Sequence, residues 1–529
     1  MNSRLWLGIT LAAWLAGTAS ADVRLAKIFT DNMVLQRDQP ILVWGWAEPG
    51  EAVSVALAGK NAATRADAKG QWIVELPALK QGENLELTVS GKNAIVLKNV
   101  ILGDVWLCAG QSNMEMALGG CLNAADDCKV ADLPKIRRIK FAHVQSACPE
   151  SDAPATAAWQ VCTTQNAGAF TAVGFYFARE IQAKTGVPIG ILDDNWGGTQ
   201  IEPWTTSAGL ESIPELHDAV VVRSNALAAY RAQLPKRLDE LESWIGAARA
   251  ALTNQAQIPP APEIIPPGAT GWCSMYHAMI SPLIRFPIKG ALWYQGESNG
   301  SEGESYYHKM RALVGGWRQE WNPGASATGS GRDFPFYFVQ LASFQNANDN
   351  PAGGDGWARL REAQTRALSI PNSGMAVIID TVPLKESENI HPKNKYDVGL
   401  RLARWALNRD YGMKDTLVSG PIFKAMKIEG DRVRVSFDYA GSGLMVGAKE
   451  GRAPAVEQNS GKLKRFAIAG ADKHWVWADA AIEGQTVVVS ASGVKEPVAV
   501  RYAFSMNPAG ANLYNREGLP AAPFRTDGW

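Results

Sequence analysis

The sequence has no surplus of charge of either sign, since 52 Lys and Arg residues are matched by 52 Asp and Glu residues. Proteins that hold nucleic acid or an anionic membrane surface use a basic surplus to neutralise phosphate groups. We therefore expect neither nucleic acid nor a charged membrane surface to be a partner of this chain.

Long hydrophobic runs are also missing beyond the N-terminus. There, Arg4 precedes an apolar run from Leu5 to Ala16, and small residues end the segment at Ala19-Ser20-Ala21. A membrane-spanning helix needs about 20 apolar residues, whereas a short apolar run before a small-residue cleavage site is typical of a secretory signal peptide. We expect residues 1–21 to be removed, with no membrane insertion afterwards and a periplasmic or extracellular location.

Patterns that bind metals are absent as well. No Cys-x-x-Cys pair occurs, so a zinc site has no support and we expect no metal and no cofactor. Four of the six histidines have no partner pattern and are expected at the surface: His143, His217, His308 and His474.

Six cysteines would enter a compartment in which disulfides can form. The sequence does not determine their pairing. Cys121 with Cys128, and Cys148 with Cys162, are the favoured pairs because they are closest in the chain. Cys108 lies in an apolar run and is expected to be a buried thiol.

A chain of 529 residues exceeds the usual size of one hydrophobic core. Residues 22–100 contain short alternating runs separated by turn residues, which predict a small β-sandwich. The predicted strands are Ile41–Trp46, Val53–Leu57, Gln71–Leu76, Leu85–Val89 and Ile95–Val100.

Residues 101–412 then alternate buried apolar strands with amphipathic helices, the pattern of a parallel sheet covered on both faces in an α/β domain. The predicted helices include Val173–Lys184 and Tyr306–Glu320. The predicted strands are Val105–Ala109, Ile189–Leu192, Ile288–Tyr294, Phe336–Val339 and Ala376–Ile379.

Two further regions complete the chain. A helical insertion is expected at about 205–270, because 211–254 has a helical period and 258–268 is rich in proline. Strand patterns return in 413–529, at Val433–Phe437, Thr486–Ser490 and Val498–Tyr502, and predict a C-terminal β domain.

Polar residues follow four of the predicted strands. Ligands of parallel α/β sheets bind at the carboxyl ends of the strands, so these positions are candidates for chemistry. The segments are Gly110-Gln111-Ser112-Asn113, Asp193 to Thr199, Gln295-Gly296-Glu297-Ser298-Asn299 and Glu388-Asn389-Ile390-His391.

Together these segments supply the parts of a nucleophilic site. A hydroxyl nucleophile needs a base, the base needs an orienting acceptor, and a tetrahedral intermediate needs hydrogen-bond donors. Ser112, His391, Glu388, Gly198 and Gln295 can fill these roles.

The same segments resemble the sialate O-acetylesterase family of SGNH-type hydrolases. The resemblance rests on Gly-Gln-Ser-Asn-Met, Asn-Trp-Gly-Gly-Thr, Trp-Tyr-Gln-Gly-Glu-Ser-Asn and Ile-His-Pro-x-Asn-Lys, and it extends to Asp-Asn-Met-Val-Leu-Gln near the N-terminus and Asn-Leu-Tyr-Asn near the C-terminus. It implies a three-layer α/β/α domain flanked by β-sandwich domains. It also implies that O-acetyl groups are removed from carbohydrate through an acyl-enzyme.

Carried over by position, the resemblance implies that Ser112 is the nucleophile and that His391 is the base. Backbone N–H groups of Ser112 and Gly198, with the Gln295 side chain, would form the oxyanion hole. Gln111, Asn113, Glu297 and Trp196 would support the site or contact substrate.

The acid of the triad departs from the SGNH pattern. An aspartate usually stands three residues before the histidine, and here that position holds Glu388. Asp380 or a backbone carbonyl could orient His391 instead, which would leave a Ser–His dyad.

Two other readings remain open. Gly296-Glu297-Ser298-Asn299-Gly300 fits the nucleophile elbow Gly-x-Ser-x-Gly, which would make Ser298 the nucleophile. Alternatively, the chain could be a non-catalytic carbohydrate-binding protein that uses tryptophans such as Trp196 and Trp204. Whether an esterase would act on sialic acid or on acetylated xylan, and in which oligomeric state, also stays open.

Replacing each candidate serine separately distinguishes the two nucleophiles. We expect Ser112→Ala to abolish hydrolysis of p-nitrophenyl acetate and Ser298→Ala to retain it, because only the former removes the attacking hydroxyl. Full activity of Ser112→Ala in the same assay would overturn the assignment.

Overall fold

The computed structural model describes residues 22–156, 158–262, 271–322, 333–459 and 461–529. The expected signal peptide and part of the proline-rich connector lie outside the described residues. The chain forms a mixed α/β structure whose largest sheet has eleven strands.

Seven strands precede the strand that leads to Ser112. They are β1 (Arg24–Leu25), β2 (Val34–Gln36), β3 (Ile41–Trp46), β4 (Ala52–Leu57), β5 (Lys60–Arg65), β6 (Gln71–Leu76) and β7 (Gly82–Ser90). Strands β1, β3 and β6 form a three-stranded sheet, while β2, β4, β5 and β7 belong to the large sheet.

Strand β8 (Ala94–Gly110) crosses the domain boundary that was predicted at residue 100. Its first half pairs antiparallel with β7, and its second half joins the central parallel strands. The predicted strands Ile95–Val100 and Val105–Ala109 are therefore one continuous strand.

The remaining strands of the large sheet are β9 (Leu133–Lys140), β10 (Gln160–Cys162), β11 (Ile189–Asn195), β12 (Gly290–Tyr294), β13 (Phe336–Val339) and β14 (Ser373–Ala376). Their order is β10-β9-β11-β8-β12-β13-β14. Neighbours from β9 to β14 run parallel, but β10 is antiparallel to β9, so the sheet is mixed rather than purely parallel.

Helices cover both faces of this sheet. Successive side chains of a strand point to opposite faces, and in β8 Trp106 and Cys108 enter one core while Leu107 and Ala109 enter another. The first core includes side chains of α3 and α8, and the second includes those of α6 and α7. The helices are α1 (Ser112–Glu115), α2 (Ala124–Lys129), α3 (Ala172–Thr185), α4 (Ser207–Glu211), α5 (His217–Thr253), α6 (Ser305–Trp321), α7 (Gly356–Arg366) and α8 (Lys395–Arg409).

Strand β9 was not predicted, because its sequence Lys-Ile-Arg-Arg-Ile-Lys does not look like a buried strand. Both arginines are nevertheless buried. The Arg137 guanidinium donates to the backbone carbonyls of Asn32 and Asn99, and Arg138 donates to the Asp193 carboxylate. Burial of these charges depends on such partners, which lie far away in sequence.

Helix α5 corresponds to the predicted helical insertion and is mostly exposed, with Ala248 as its one buried residue. Among the described helices, none is both long and apolar enough to cross a membrane.

The C-terminal residues form three small sheets, and all three contribute side chains to one core. Side chains of β16 and β22 in one four-stranded sheet pack against those of β19 and β23 in another. The strands are β15 (Ile422–Glu429), β16 (Arg432–Asp438), β17 (Leu444–Ala448), β18 (Val456–Glu457), β19 (Phe466–Gly470), β20 (Trp475–Trp477), β21 (Asp479–Glu483), β22 (Thr486–Ser490), β23 (Pro497–Tyr502), β24 (Leu513–Asn515) and β25 (Phe524–Arg525).

All six cysteines are free thiols, so neither favoured disulfide is present. Cys148 is exposed, whereas Cys162 is buried and donates weakly to the Ala131 carbonyl. Cys121 is likewise turned inward, towards the Ala117 carbonyl. Proximity in sequence was therefore a poor guide to pairing, while the expectation of a buried Cys108 is confirmed.

Close packing of α3 against α8 depends on Gly399. A Cβ there would lie 2.6 Å from Tyr176 Cβ and 2.8 Å from Phe177 N. We expect Gly399→Ala to lower stability by about 1–3 kcal/mol because the helices cannot both keep their positions. Gly315→Ala, in an open position of helix α6, is the matched control and should be neutral or slightly stabilising. Calorimetric melting temperatures that fall equally in both variants would contradict this reading.

Candidate functional site

The site begins where β8 meets β12. Gly110 has a φ of +134°, and a Cβ there would lie 2.2 Å from the Tyr294 carbonyl oxygen. The next residue, Gln111, donates its N–H to that same carbonyl at 3.0 Å. Only glycine fits this approach, which turns the chain sharply and brings Ser112 to the carboxyl edge of the sheet.

Ser112 lies next to His391, as the sequence predicts. His391 Nε2 is 2.8 Å from Ser112 Oγ, although 279 positions separate them in the chain. The histidine precedes helix α8, whose first turn is capped by the Asn394 side chain. Burial, and then the charge of Lys395, lower the pKa of His391 below its ordinary value of 6.5. The imidazole is thus neutral at neutral pH and can accept the serine proton.

Two backbone donors are free beside this pair. Within the described part of the chain, neither the Ser112 N–H nor the Gly198 N–H has a hydrogen-bond acceptor. The intervening Gly197 packs against Ser112, since a Cβ on it would lie 3.2 Å from Ser112 Cβ. Its own N–H donates to Glu115 Oε2 at 2.7 Å. The loop after β11 is therefore held against Ser112, while the Gly198 N–H stays without an acceptor among the described residues.

Gln295 was predicted to be an oxyanion donor, but its amide is fully engaged elsewhere. Its Nε2 lies within hydrogen-bond distance of Gln111 Oε1, the Thr199 carbonyl and Asn299 Oδ1, at 2.8–3.1 Å. Its Oε1 accepts from the Tyr306 hydroxyl. An amide has two hydrogens to donate, so none remains for an oxyanion, and Gln295 instead joins the loops after β11 and β12.

The four predicted supporting residues lie around the serine. Gln111 Oε1 accepts from Gln295 Nε2 and from the N–H groups of Gly296 and Ser298. Trp196, half-buried, follows β11 and donates its N–H to the Gly110 carbonyl.

Asn113 and Glu297 belong to a buried network behind Ser112 and His391. Asn113 Nδ2 donates to Glu297 and to the Ile390 carbonyl, and Asn113 Oδ1 accepts from Lys395 Nζ. Burial lowers the pKa of Lys395 to about 8 and raises that of Glu297. The network ties the segment that carries His391 to the helical turn that carries Ser112. Lys395 was not predicted, because its importance depends on burial.

The structure does not bring Glu388 to His391. Glu388 is exposed, in a turn, and makes no hydrogen bond or ion pair with any described residue. Asp380 lines a cavity of about 320 Å³ together with His391, but both of its oxygens are taken up by Arg401 at 2.6 and 2.8 Å. Among the described residues, no acceptor binds His391 Nδ1, so the geometry is that of a Ser–His dyad.

The rival nucleophile Ser298 has no base. It lies in a 3-10 turn, Glu297–Asn299, and no described histidine contacts its hydroxyl. In the same described ranges, no group of three or more His, Cys, Asp or Glu could hold a metal ion.

Two residues near the serine were missed. Glu115 lies in the same helical turn as Ser112, and its Oε1 is 2.9 Å from His143 Nε2. The expectation that His143 lies at the surface is confirmed, because the residue is exposed, but it has partners that were not expected, since it also stacks on Trp196. It follows the end of β9, the strand that was not predicted, and a correct prediction of β9 would have added it to the candidate strand ends.

Comparison with known proteins gives concordant matches. The family model described as carbohydrate esterase, sialic acid-specific acetylesterase, matches residues 102–234 and 269–408. The sialate O-acetylesterase of Mus musculus is 28% identical over 98% of this chain and 96% of its own length. The sialate O-acetylesterase of Homo sapiens is 27% identical over 82% of this chain and 80% of its own length. A crystal structure of a carbohydrate acetylesterase from Xanthomonas citri is 36% identical and has a TM-score of 0.78, covering 96% of this chain and all of that one.

Replacing Glu388 tests whether His391 depends on an acid. An orienting carboxylate of a triad is worth about 10⁴-fold in kcat, whereas a side chain that does not touch the histidine should matter little. We expect Glu388→Gln to keep kcat for p-nitrophenyl acetate within about threefold of the unmodified protein. A loss of a thousandfold or more would contradict the dyad and restore Glu388 as the acid.

Proposed function

Because the chain belongs to the sialic acid-specific acetylesterase family of carbohydrate esterases, we propose that Ser112 and His391 remove O-acetyl groups from carbohydrate through an acyl-enzyme. The observation that carries this proposal is the 2.8 Å distance between His391 Nε2 and Ser112 Oγ at the carboxyl edge of the sheet. A serine hydroxyl is a weak nucleophile, and a neutral imidazole within hydrogen-bond distance activates it.

The reaction has two steps. His391 accepts the Ser112 proton while the serine oxygen attacks the acetyl carbonyl carbon, and His391 then returns the proton to the departing sugar oxygen. Water, deprotonated by the same imidazole, hydrolyses the acetyl-serine to acetate and restores the serine. The lowered pKa of His391 supports its role as the base in both steps.

The tetrahedral intermediate places a negative charge on the former carbonyl oxygen. We assign its stabilisation to the N–H groups of Ser112 and Gly198, which have no acceptor among the described residues. Each such donor contributes about 3 kcal/mol to lowering the barrier. Gln295 supports the hole indirectly, through its bonds to the Thr199 carbonyl and to Gln111.

The orienting acid is replaced by backbone and packing in this proposal. Asn113 holds the Ile390 carbonyl, immediately before His391, and the capped start of α8 holds the segment that follows it. Glu388 and Asp380 are not required in the reaction as proposed.

The division of the chain and its export are part of the proposal. We assign an SGNH-type three-layer α/β/α domain to residues 101–412, supported by helices on both sheet faces, with β-sandwich domains at 22–100 and 413–529, the first of which shares strand β8 with the α/β sheet. We also infer export through residues 1–21, which is supported by Arg4 and the short apolar run after it.

Acetate release from a panel of substrates tests the proposal and separates its alternatives. The purified protein should release acetate from O-acetylated sialic acid or from acetylated xylo-oligosaccharides, and Ser112→Ala should release none from either. Preference for xylo-oligosaccharides would indicate a hemicellulose esterase of the same fold. Failure to hydrolyse every acetyl ester, p-nitrophenyl acetate included, would favour a non-catalytic carbohydrate-binding protein.

A further inference from the structure

A flat pair of stacked rings stands beside the nucleophile. The imidazole of His143 lies over the indole of Trp196, with ring centroids 4.8 Å apart and planes inclined by only 9°. We call this pair the aromatic wall. His143 comes from the segment after β9 and Trp196 from the loop after β11, so the wall belongs to the same edge of the sheet as Ser112.

One carboxylate connects the wall to the catalytic loop. Glu115 Oε1 is 2.9 Å from His143 Nε2, and Glu115 Oε2 accepts the Gly197 N–H at 2.7 Å. Because Gly197 packs on Ser112, Glu115, which lies in the helical turn of Ser112 itself, connects the wall to the nucleophile.

Only the outer part of the wall is open. Trp196 packs on the hydrophobic core, and its stacked neighbour His143 keeps 36% of its side chain exposed. Further polar groups lie at the base of the wall. Lys140 Nζ donates to Asn195 Oδ1 at 2.6 Å and lies 4.0 Å from Glu115 Oε1. A partly exposed flat ring with polar groups at its edge is suited to a ligand that is apolar on one face and hydroxylated at its rim.

A sugar ring has that chemistry, because its axial C–H groups form an apolar face while its hydroxyl groups project at the edge. The acetyl ester must lie at Ser112, so the ring that bears it has to occupy the space next to the nucleophile. We propose that the aromatic wall is the binding surface for the sugar ring that carries the acetyl group, with Glu115 as the residue that positions both the wall and the Gly197–Gly198 loop. This inference rests on the proposed function and adds the residues that select its substrate.

Binding to an inactive protein tests the wall without turnover. In the Ser112→Ala background, calorimetry measures affinity for two probes, O-acetylated sialic acid and acetylated xylotriose. We expect His143→Ala to weaken binding of the recognised probe about tenfold. His143→Phe should keep an affinity near that of the parent because it retains a flat ring. The control is His474→Ala, which replaces an exposed histidine of the C-terminal region and should not change the affinity.

Activity on an ester without a ring separates the wall from the catalytic machinery. With Ser112 intact, His143→Ala should lower kcat/KM for the recognised acetylated sugar much more than kcat/KM for ethyl acetate, which has no ring to stack on the wall. Glu115→Ala should lower kcat for ethyl acetate because it frees Gly197, whereas Glu115→Gln, which retains an acceptor for that N–H, should recover most of it.

Several outcomes would contradict the proposed role of the aromatic wall. They are unchanged probe affinity in His143→Ala, no binding of either probe by the parent, or losses of kcat/KM in His143→Ala that are equal for the acetylated sugar and for ethyl acetate. Failure of the proposed function is separate, because it is defined by the absence of acetate release from the unmodified protein.

Discussion

The approach of β8 to β12 at Gly110 is the constraint on which the site depends. The Tyr294 carbonyl occupies the space that a side chain would need, so the chain can turn there only with glycine in a positive-φ conformation. The turn ends β8 and presents Ser112 at the sheet edge, between the loops that follow β11 and β12. The proposed nucleophile Ser112, the proposed backbone donors and the supporting amides then meet because parallel strands end on the same side of a sheet.

Behind that edge, buried polar groups fix the position of His391 relative to Ser112, which the geometry of the strands alone does not determine. Asn113 is bonded to a cation on one side and to a carboxyl group on the other, and also holds the carbonyl before His391. Such a network is costly to bury unless its members are paired, and when paired it favours a single arrangement. His391, the proposed base, is therefore positioned from behind by an amide, where many serine hydrolases use an acid. Burial, and then the charge of Lys395, lower its pKa.

Much of the fold and the centre of the site were predictable from local patterns. Long periodic segments such as α3 and α6, and apolar strands such as β13, agree with the structure to within about a residue. The strand predicted at Ala376–Ile379 lies instead at Ser373–Ala376, because the apolar run continues past the last ladder bond. Strand β9 was missed because its arginines find their partners only in the folded chain, and His143 was missed with it. Residue type suggested donor and acid roles for Gln295 and Glu388, but those roles depend on which bonds a side chain already makes and on which way a turn faces. Both are tertiary properties.

The continuity of β8 also bears on how such a protein can be rearranged. Because one strand runs from the antiparallel β7 pairing into the centre of the α/β sheet, the first region of the chain is not an exchangeable module. A chimera joined at residue 100 would splice two halves of one strand, and a change in the twist of the first half would pass along the backbone to Ser112, just beyond the end of that strand. A chimera that keeps β8 intact must therefore have its junction outside Ala94–Gly110.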